Sequence, residues 1–392
     1  MDTLLGQLLF SEEYRDNYFC YQIVAYINYN HNMNKESKFT FIDLFAGIGG
    51  IRIAFEKAGG ECVFSSEYDQ FAQETYQAFF GEKPDFKSVQ EVNPPGDITK
   101  LPPEKVPDHN ILTGGFPCQP FSLAGVSKKN SLGRPHGFDD PTQGTLFFNI
   151  KKIIDNKRPV AFLLENVKNL KSHDKGQTFK VISETLFKLN YSVFTNIIDA
   201  QYWVPQHRER IYIIGFRNPG ADPLARQKWK VFDFHEFTNM AMPDHRLFEL
   251  DEMLDPNPPI LSMLPPGTWA TLKRHKKYHE EAGNGFGYGL LQPPFRGKIT
   301  RTLSARYHKD GAEILIDQNW ERPRRLTPLE CCRLMGYPEK YQQFFSEENY
   351  INNKMPVSRT QAYKQFGNSV VVPVLGNIAK LLINKLEEVG AI

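Results

Sequence analysis

The chain has 392 residues, 41% of them hydrophobic and 23% charged, a composition typical of a soluble globular protein with one large and one smaller domain. No apolar run approaches the roughly 20 residues that span a bilayer, no secretory signal is recognisable, and the five cysteines indicate neither a disulfide framework nor a zinc site. The sparse cysteines fit a reducing cytoplasm, where we expect the protein to be. The net charge is only +2, so any polyanionic partner should bind a locally basic face.

The N-terminal region, residues 1–38, combines a leucine-rich stretch with an aromatic-rich run and ends in an asparagine-rich linker. We predict one or two amphipathic helices here, in a segment too short to be a domain of its own. Met33, near its end, is an alternative start of the chain.

A strand, a glycine loop and a helix are predicted next. The apolar run 39–44 indicates a buried strand, the loop 45–50 contains three glycines, and helical periodicity follows. Such a loop places backbone N–H groups and a helix N-terminus beside a ligand. Arg52 stands where the dinucleotide fingerprint needs a glycine, so the loop suits a ligand without a pyrophosphate.

An acidic residue ends the second predicted strand. The strand covers residues 61–66, and Glu67 follows it about 20 residues after the glycine loop. A carboxylate there can bind both hydroxyls of a ribose, although it can also serve as a capping charge for the helix predicted over 70–80. Its place at a strand end favours the ligand. Further along the chain, Asp97 lies in a loop and could bond a ligand amine.

Residues 111–122 predict a strand that ends in a tight loop around Cys118. Two glycines, two prolines and the cysteine follow the apolar start of this segment, and they force an irregular turn. Open α/β sheets bind ligands at the carboxyl ends of their strands, where Cys118 would lie. A lone cysteine is more often a buried structural residue. The rigid turn nevertheless suits a presented nucleophile.

The polar, glycine-rich residues 122–145 indicate a lid that carries phosphate-binding charge.

A carboxylate is predicted at the same sheet edge as Cys118. After a helix over 145–156 comes an apolar strand over 159–164, and Glu165 follows it directly.

Two arginines enter the last strand of the predicted sheet. After a helix over 176–189 and a strand over 191–199, Arg208 and Arg210 lead into the apolar run 211–216. An arginine beside a glutamate is usually a surface ion pair that contributes little to stability. Two arginines at the start of a core strand instead indicate a functional role. The alternating elements predict an α/β fold with a doubly wound, mostly parallel sheet.

A second, smaller, mostly β and irregular domain is predicted after about residue 217. Residues 218–300 contain many prolines, and 273–279 form a basic run, which is usually a solvated face but could hold nucleic-acid phosphates. A β-hairpin is predicted over 301–317, and a capping box starts a helix at Thr327. The expected division is 1–38, 39–217, 218–340 and 341–392, with a glycine loop before the last helix returning to the first domain.

Six motifs, taken together, resemble the DNA cytosine-5 methyltransferase family, and the resemblance covers nearly everything after residue 38. They occur in the family's order, which argues against chance, whereas the Asp-Pro-Pro-Tyr motif of amino-group methyltransferases is absent. The motifs are 43–50 (DLFAGIGG), 117–119 (PCQ), 165–167 (ENV), 206–210 (QHRER), 301–305 (RTLSA) and 367–369 (GNS).

The resemblance implies covalent catalysis on a cytosine ring. Cys118 resembles the family nucleophile, whose thiolate adds to C6 so that C5 can attack an electrophilic methyl group. Glu165 would bind the N3 and amino edge and supply or stabilise a proton at N3, which requires a raised pKa. Arg208 resembles the arginine that contacts the base carbonyl, and Arg210 would be a second supporting charge. A water could remove the C5 proton.

The resemblance also implies S-adenosylmethionine as methyl donor and duplex DNA from which the target base is flipped. Residues 122–144 resemble the loop that closes over that base, and the second domain would read the major groove. The positions that match the cofactor pocket are Phe45, Ala46, Gly47, Gly49, Glu67, Tyr68, Asp97, Ile98, Phe116, Pro117, Asn368 and Ser369. The expected DNA-binding residues are Ser122, Lys128, Arg134, Arg301, Ser304 and Arg306.

Finer expectations concern the target. Residues 285–289 followed by 301–317 resemble the recognition domains of bacterial enzymes that methylate CCWGG or CCNGG sites, which suggests a CC(N)GG-like target, a restriction-modification role and a separately acting endonuclease. A monomer is expected. Two alternatives stay open. One is an RNA (tRNA) cytosine methyltransferase, against which the size of 218–300 argues. The other is a catalytically silent DNA-binding regulator, against which the intact Cys118, Glu165 and Arg208 argue.

Overall fold

A computed structural model describes residues 37–84, 96–117, 146–220, 242–285 and 287–392. Several predictions fall elsewhere in the chain. The N-terminal extension up to residue 36, the expected nucleophile Cys118 and the expected DNA contacts Ser122, Lys128 and Arg134 lie outside the described residues.

The larger domain is built on a six-stranded sheet. Its strands are β1 (Phe39–Leu44), β2 (Gly60–Ser66), β3 (Ile111–Gly115), β4 (Ala161–Val167), β5 (Tyr191–Asp199) and β6 (Glu209–Arg217). The strand order is β2-β1-β3-β4-β6-β5, with parallel pairing from β2 to β4 and antiparallel pairing of β6 with both its neighbours. The predicted doubly wound, mostly parallel sheet is confirmed.

Helices cover both faces of this sheet, because its central strands are apolar on both sides. The helices of this part of the chain are α1 (Gly50–Lys57), α2 (Gln70–Phe80), α3 (Leu146–Lys157) and α4 (Gln177–Lys188). Side chains of α1 and α2 join the apolar core on one face, and side chains of α3 and α4 join the core on the other. In β6, Gly215 leaves room for the ring of Phe162, which would lie 2.0 Å from an added Cβ.

The second part of the chain combines short strands with helices. The strands are β7 (Leu290–Leu291), β8 (Leu315–Ile316) and β9 (Arg324–Arg325), with β7 parallel and β9 antiparallel to β8. The helices are α5 (Leu250–Met253), α6 (Pro266–Glu281), α7 (Pro328–Leu334), α8 (Glu339–Gln342), α9 (Glu347–Ile351), α10 (Arg359–Asn368) and α11 (Val372–Glu388). The last helix packs against α1 of the larger domain.

The β-hairpin predicted over 301–317 is wrong. Residues 305–308 form a turn, and β8 pairs with β7 and β9 instead. The cause is Tyr307, whose buried hydroxyl donates to the Ile314 carbonyl (2.6 Å) and accepts from the Leu326 amide (2.7 Å). The Tyr307 side chain therefore satisfies the Ile314 carbonyl and ties this turn to Leu326, outside the predicted hairpin.

One further sequence-based expectation differs from the structure. The predicted glycine loop before the last helix is mostly helical, since α10 extends to Asn368. The basic run 273–279 lies within α6, an exposed helix whose only buried side chain is Leu272, which agrees with the solvated face expected there. Gly367 is required at the end of α10 because the backbone of Ser304 and Ala305 lies 2.3 Å from where its Cβ would be.

The predicted capping box at Thr327 is confirmed and is part of a larger buried network. Glu330 accepts the Thr327 amide at 2.7 Å, and the Thr327 hydroxyl accepts the Glu330 amide at 3.2 Å. The same carboxylate binds the guanidinium of Arg324 in a two-pronged contact at 2.7 and 2.8 Å, and both side chains are fully buried. It also accepts the Asp255 amide at 2.8 Å, so it joins three segments.

Among the described residues, one stretch, Arg359–Glu388, is long and apolar enough to cross a membrane by length and composition. In this structure 61% of its most apolar window is buried inside the protein, and core helices of soluble proteins commonly pass the same test.

We predict that Glu330→Gln destabilises the second part of the chain by about 3–5 kcal/mol, because it leaves Arg324 charged, buried and unpaired. The matched control is Glu280→Gln, since Glu280 pairs with Lys276 on exposed α6 at 3.7 Å, and its loss should cost about 0.5 kcal/mol or less. Denaturant unfolding followed by tryptophan fluorescence measures both. Equal effects of the two substitutions would contradict the assigned network.

Candidate active site

The loop between β1 and α1 turns sharply and stays open at its centre. Phe45, Gly47 and Gly49 all have positive φ, at 58°, 57° and 82°. Phe45 is not a glycine, and such strain is typically kept at ligand-binding or catalytic sites. The loop is held by the Ala46 amide, which donates to the Ser66 carbonyl at 2.9 Å, while nothing lies within 4 Å of a Cβ added at Gly47.

Glu67 faces this loop from the end of β2. One carboxylate oxygen accepts the Gly47 amide and the other accepts the Asp69 amide, both at 2.7 Å. Burial raises the pKa of Glu67, and these backbone hydrogen bonds oppose the rise. The side-chain cap of α2 is Asp69, which accepts the Ala72 amide at 2.8 Å, so the alternative capping role for Glu67 does not hold.

Asp97 lies close to Glu67 because of Gly96. A Cβ at Gly96 would lie 1.8 Å from the Glu67 carbonyl oxygen, so only glycine permits this approach. Asp97 itself accepts from the Thr99 amide at 3.0 Å and from the Thr99 hydroxyl at 2.6 Å.

The remaining expected cofactor positions surround the same loop. Tyr68 is 65% exposed beside Glu67, Ile98 and Phe116 are buried, and Pro117 is exposed. Across the loop, Asn368 is exposed, and the Ser369 hydroxyl shares a 2.7 Å hydrogen bond with Tyr337.

Asp43, at the foot of the loop, is a buried carboxylate that was not among the site residues predicted from the sequence. One oxygen accepts the Thr113 hydroxyl at 3.2 Å, and the other has no hydrogen-bond partner among the described residues. Burial raises the pKa of Asp43 to about 7. An open loop centre, an unpaired buried acceptor and a carboxylate at the strand end fit a ligand that carries amine and ribose hydroxyl groups.

Glu165 lies inside β4, opposite Gly115 in β3 and Tyr212 in β6. Its carboxylate is 9% exposed and pairs with Arg210, with Nε of Arg210 at 3.1 Å. Burial raises the pKa of Glu165, and the positive charges of Arg210 and Arg208 partly counteract it. Gly115 carries no side chain, and its Cβ would lie 3.5 Å from the carboxylate. A buried carboxyl group with a raised pKa, held beside an arginine, is a candidate for general acid–base chemistry.

Arg208 lies deeper, where it joins three segments. Its guanidinium donates to the carbonyls of Leu303 (2.7 Å), Gly367 (3.1 Å) and Ser369 (2.5 Å), and the residue is 2% exposed. Burial lowers the pKa of Arg208 to about 9, so it remains charged at neutral pH. The geometry thus favours an exchange of the roles expected for the two arginines. Arg210 faces Glu165, whereas Arg208 binds backbone carbonyls.

Two amide side chains within the sequence motifs named above also shape the site, although neither was among the site residues predicted from the sequence. Asn166 donates to the Phe116 carbonyl at 2.8 Å, which fixes the end of β3 next to Pro117. Gln206 is buried and accepts the Leu303 amide at 2.9 Å. Their membership of the 165–167 and 206–210 motifs was the only signal available in the sequence.

The three described DNA-contact candidates differ in their surroundings. Arg301 donates to the Gly287 carbonyl at 2.6 Å, the Ser304 hydroxyl donates to Glu313, and Arg306 is exposed. In the described ranges, no three histidine, cysteine, aspartate or glutamate side chains converge to hold a metal ion.

Comparison with known proteins agrees with this geometry. A model of the C-5 cytosine-specific DNA methylase family matches residues 39–384. The chain is 46% identical to the DNA-cytosine methyltransferase of Escherichia coli K12, over 90% of this chain and 79% of the relative. It is 45% identical to the Type II methyltransferase M.SsoII of Shigella sonnei, over 90% and 82%, and 38% identical to M.HhaI of Haemophilus parahaemolyticus, over 86% and 92%.

Solved structures show the same fold. The crystal structure of the S. pombe Dnmt2 methyltransferase superposes with a TM-score of 0.62 over 89% of this chain and 99% of that one, at 18% identity. A putative DNA modification methyltransferase from an E. coli prophage gives 0.58 over 89% and 100%, at 20% identity. With the family match, these findings establish that the chain belongs to the C-5 cytosine-specific DNA methylases and is a DNA cytosine-5 methyltransferase whose methyl donor is S-adenosylmethionine.

Proposed function

We propose that Cys118, Glu165 and Arg210 act together on a cytosine flipped out of duplex DNA. The observation that carries the proposal is the ion pair between Glu165 and Arg210 at the end of β4, beside the chain that leads into Cys118. Asn166, next to Glu165, donates to the Phe116 carbonyl, two residues before the cysteine in the sequence, which supports a nucleophile close to the carboxylate.

The proposed chemistry divides among these side chains. The Cys118 thiolate forms a bond to C6, and the ring electrons move so that C5 becomes nucleophilic. Glu165, whose pKa is raised by burial, binds N3 and limits the negative charge that develops there. Arg210 holds the carboxylate in place, and in this proposal its guanidinium contacts the base carbonyl. After transfer, a base removes the C5 proton and the thiol is released.

S-adenosylmethionine supplies an electrophilic methyl group when bound. We assign its binding to the open loop around Gly47, with Glu67 for the ribose hydroxyls and Asp97 for the adenine amine. Exposed Tyr68 provides an aromatic surface beside the ribose position, and Asn368 and Ser369 complete the opposite wall. The unpaired oxygen of Asp43 is the remaining acceptor at the foot of the loop.

For the substrate, we propose duplex DNA with a CC(N)GG-like site, methylated in the cytoplasm by a monomer as part of a restriction-modification system. Several relatives at 42–46% identity are named as Type II methyltransferases or as DNA-cytosine methyltransferases, which supports this context. A tRNA substrate is the alternative, and parallel assays of methyl transfer to duplex DNA and to tRNA separate the two.

We predict that Cys118→Ala abolishes methyl transfer to duplex DNA while DNA binding stays within a few-fold, because only the covalent step is removed. Radiolabelled methyl incorporation and a filter-binding assay measure the two properties. A Cys118→Ala protein that still methylates DNA would refute the proposed nucleophile, and tRNA methylation by the wild-type enzyme without DNA methylation would favour the alternative substrate.

We predict that Glu165→Gln lowers the single-turnover rate of methyl transfer by about 10²–10⁴-fold, because the amide cannot supply a proton. Glu184→Gln, on the exposed face of α4, is the matched control and should leave the rate unchanged.

The pH dependence gives a second test of this pair. A rate that needs the protonated Glu165 carboxyl is full below its pKa and falls as the pH rises through it. Arg210 lowers the pKa of Glu165, so Arg210→Gln should raise that pKa further. The alkaline fall in rate should therefore move to higher pH, even if the maximal rate drops. An unchanged or lower position of the fall would contradict the pairing.

A further inference from the structure

We propose that Arg306 reads a guanine of the target site in the major groove and so determines part of the sequence specificity. This inference rests on the proposed function, since it requires duplex DNA between the two domains. It assigns a defined role to one side chain in the turn formed by residues 304–307, here called the 304–307 turn.

The 304–307 turn is rigid before any DNA binds. The Tyr307 amide donates to the Ser304 carbonyl at 3.1 Å, and the buried Tyr307 hydroxyl is fixed by Ile314 and Leu326. The Ser304 hydroxyl accepts the Arg306 amide at 3.1 Å and donates to Glu313. Preorganisation of this kind reduces the entropy that a reading side chain loses on binding.

The Arg306 side chain is exposed at the tip of this turn. Among the described residues, no hydrogen bond or ion pair engages its guanidinium, whereas that of Arg301 donates to the Gly287 carbonyl. A free guanidinium presents a fork of donors that matches O6 and N7 of guanine, the most frequent specific contact in the major groove. Lys309, exposed on the same turn region, presents a point charge that suits a phosphate.

The position of the turn links it to the catalytic residues. Arg208 holds the Leu303 carbonyl at 2.7 Å, and Ser304 packs against Gly367 at the end of α10. From Leu303 to Arg306 the chain can extend at most roughly 11 Å. The 304–307 turn is therefore joined to Arg208, directly before β6, by a short segment fixed at Leu303.

The test compares methylation patterns from hosts that express the wild type, Arg306→Ala, Arg306→Lys or Lys309→Ala. Bisulfite sequencing should give a wild-type motif with a guanine near the methylated cytosine. In both Arg306 variants that one guanine position should accept other bases while the rest of the motif persists, because lysine keeps the charge but lacks the fork. Lys309→Ala should keep the full motif with less methylation.

A binding experiment keeps the inference testable if Arg306→Ala shows no methylation. Each guanine of the site is replaced in turn by 7-deazaguanine, which lacks the N7 acceptor. The wild type should lose about 5- to 150-fold in affinity at one position, and Arg306→Ala should lose nothing further there. An unchanged motif in the Arg306 variants, or equal sensitivity of wild type and Arg306→Ala to every replacement, would overturn the inference. Absence of duplex methylation by the wild type would instead refute the proposed function.

Discussion

The buried guanidinium of Arg208 holds the two parts of this enzyme together. It donates to carbonyls of Leu303, Gly367 and Ser369, which belong to the second part of the chain and to its C-terminal segment. Removing an arginine from water costs several kcal/mol, and charge-assisted hydrogen bonds at about 1.5–3 kcal/mol each are needed to offset it. Gln206, two residues earlier, accepts the Leu303 amide and makes the same junction from its other side. The start of β6 therefore contacts both the proposed catalytic residue Glu165 and the second part of the chain.

The antiparallel strand β6 explains how that strand start reaches the catalytic edge. In the parallel part of the sheet, β1, β3 and β4 all end at one side, which places the cofactor loop, Phe116 and Glu165 together. Because β6 runs in the opposite direction, it begins where β4 ends, and Arg210 pairs in register with Val167. Arg210 can then reach Glu165, while Arg208 points toward the second part of the chain. A fully parallel sheet would have placed both arginines at the opposite edge.

Much of this arrangement could be predicted from the sequence because it depends on local pattern. The strand over 39–44, the helix over 70–80 and the capping box at Thr327 follow from periodicity and capping chemistry. The hairpin over 301–317 could not be excluded, since the deciding contact joins Tyr307 to Leu326, which lies outside that segment. The roles of Arg208 and Arg210 were likewise undecidable locally, because Arg208 binds carbonyls 95 and 159 residues away and Arg210 pairs with Glu165 on another strand. Asp43 was overlooked because a single acidic residue at a strand end carries no sign of an unpaired oxygen.

The central claim is that Cys118 attacks a flipped cytosine that Glu165 activates from its N3 side. The most direct measurement uses a duplex in which the target cytosine is replaced by 5-fluorocytosine, because the fluorine cannot leave as a proton does and the thiol bond persists. Incubation with S-adenosylmethionine, proteolysis and mass spectrometry then identify the linked peptide. The account predicts a denaturant-resistant complex joined through Cys118, formed much more slowly by Glu165→Gln. A link through another residue, or the absence of any link with an enzyme that methylates the unmodified duplex, would contradict it.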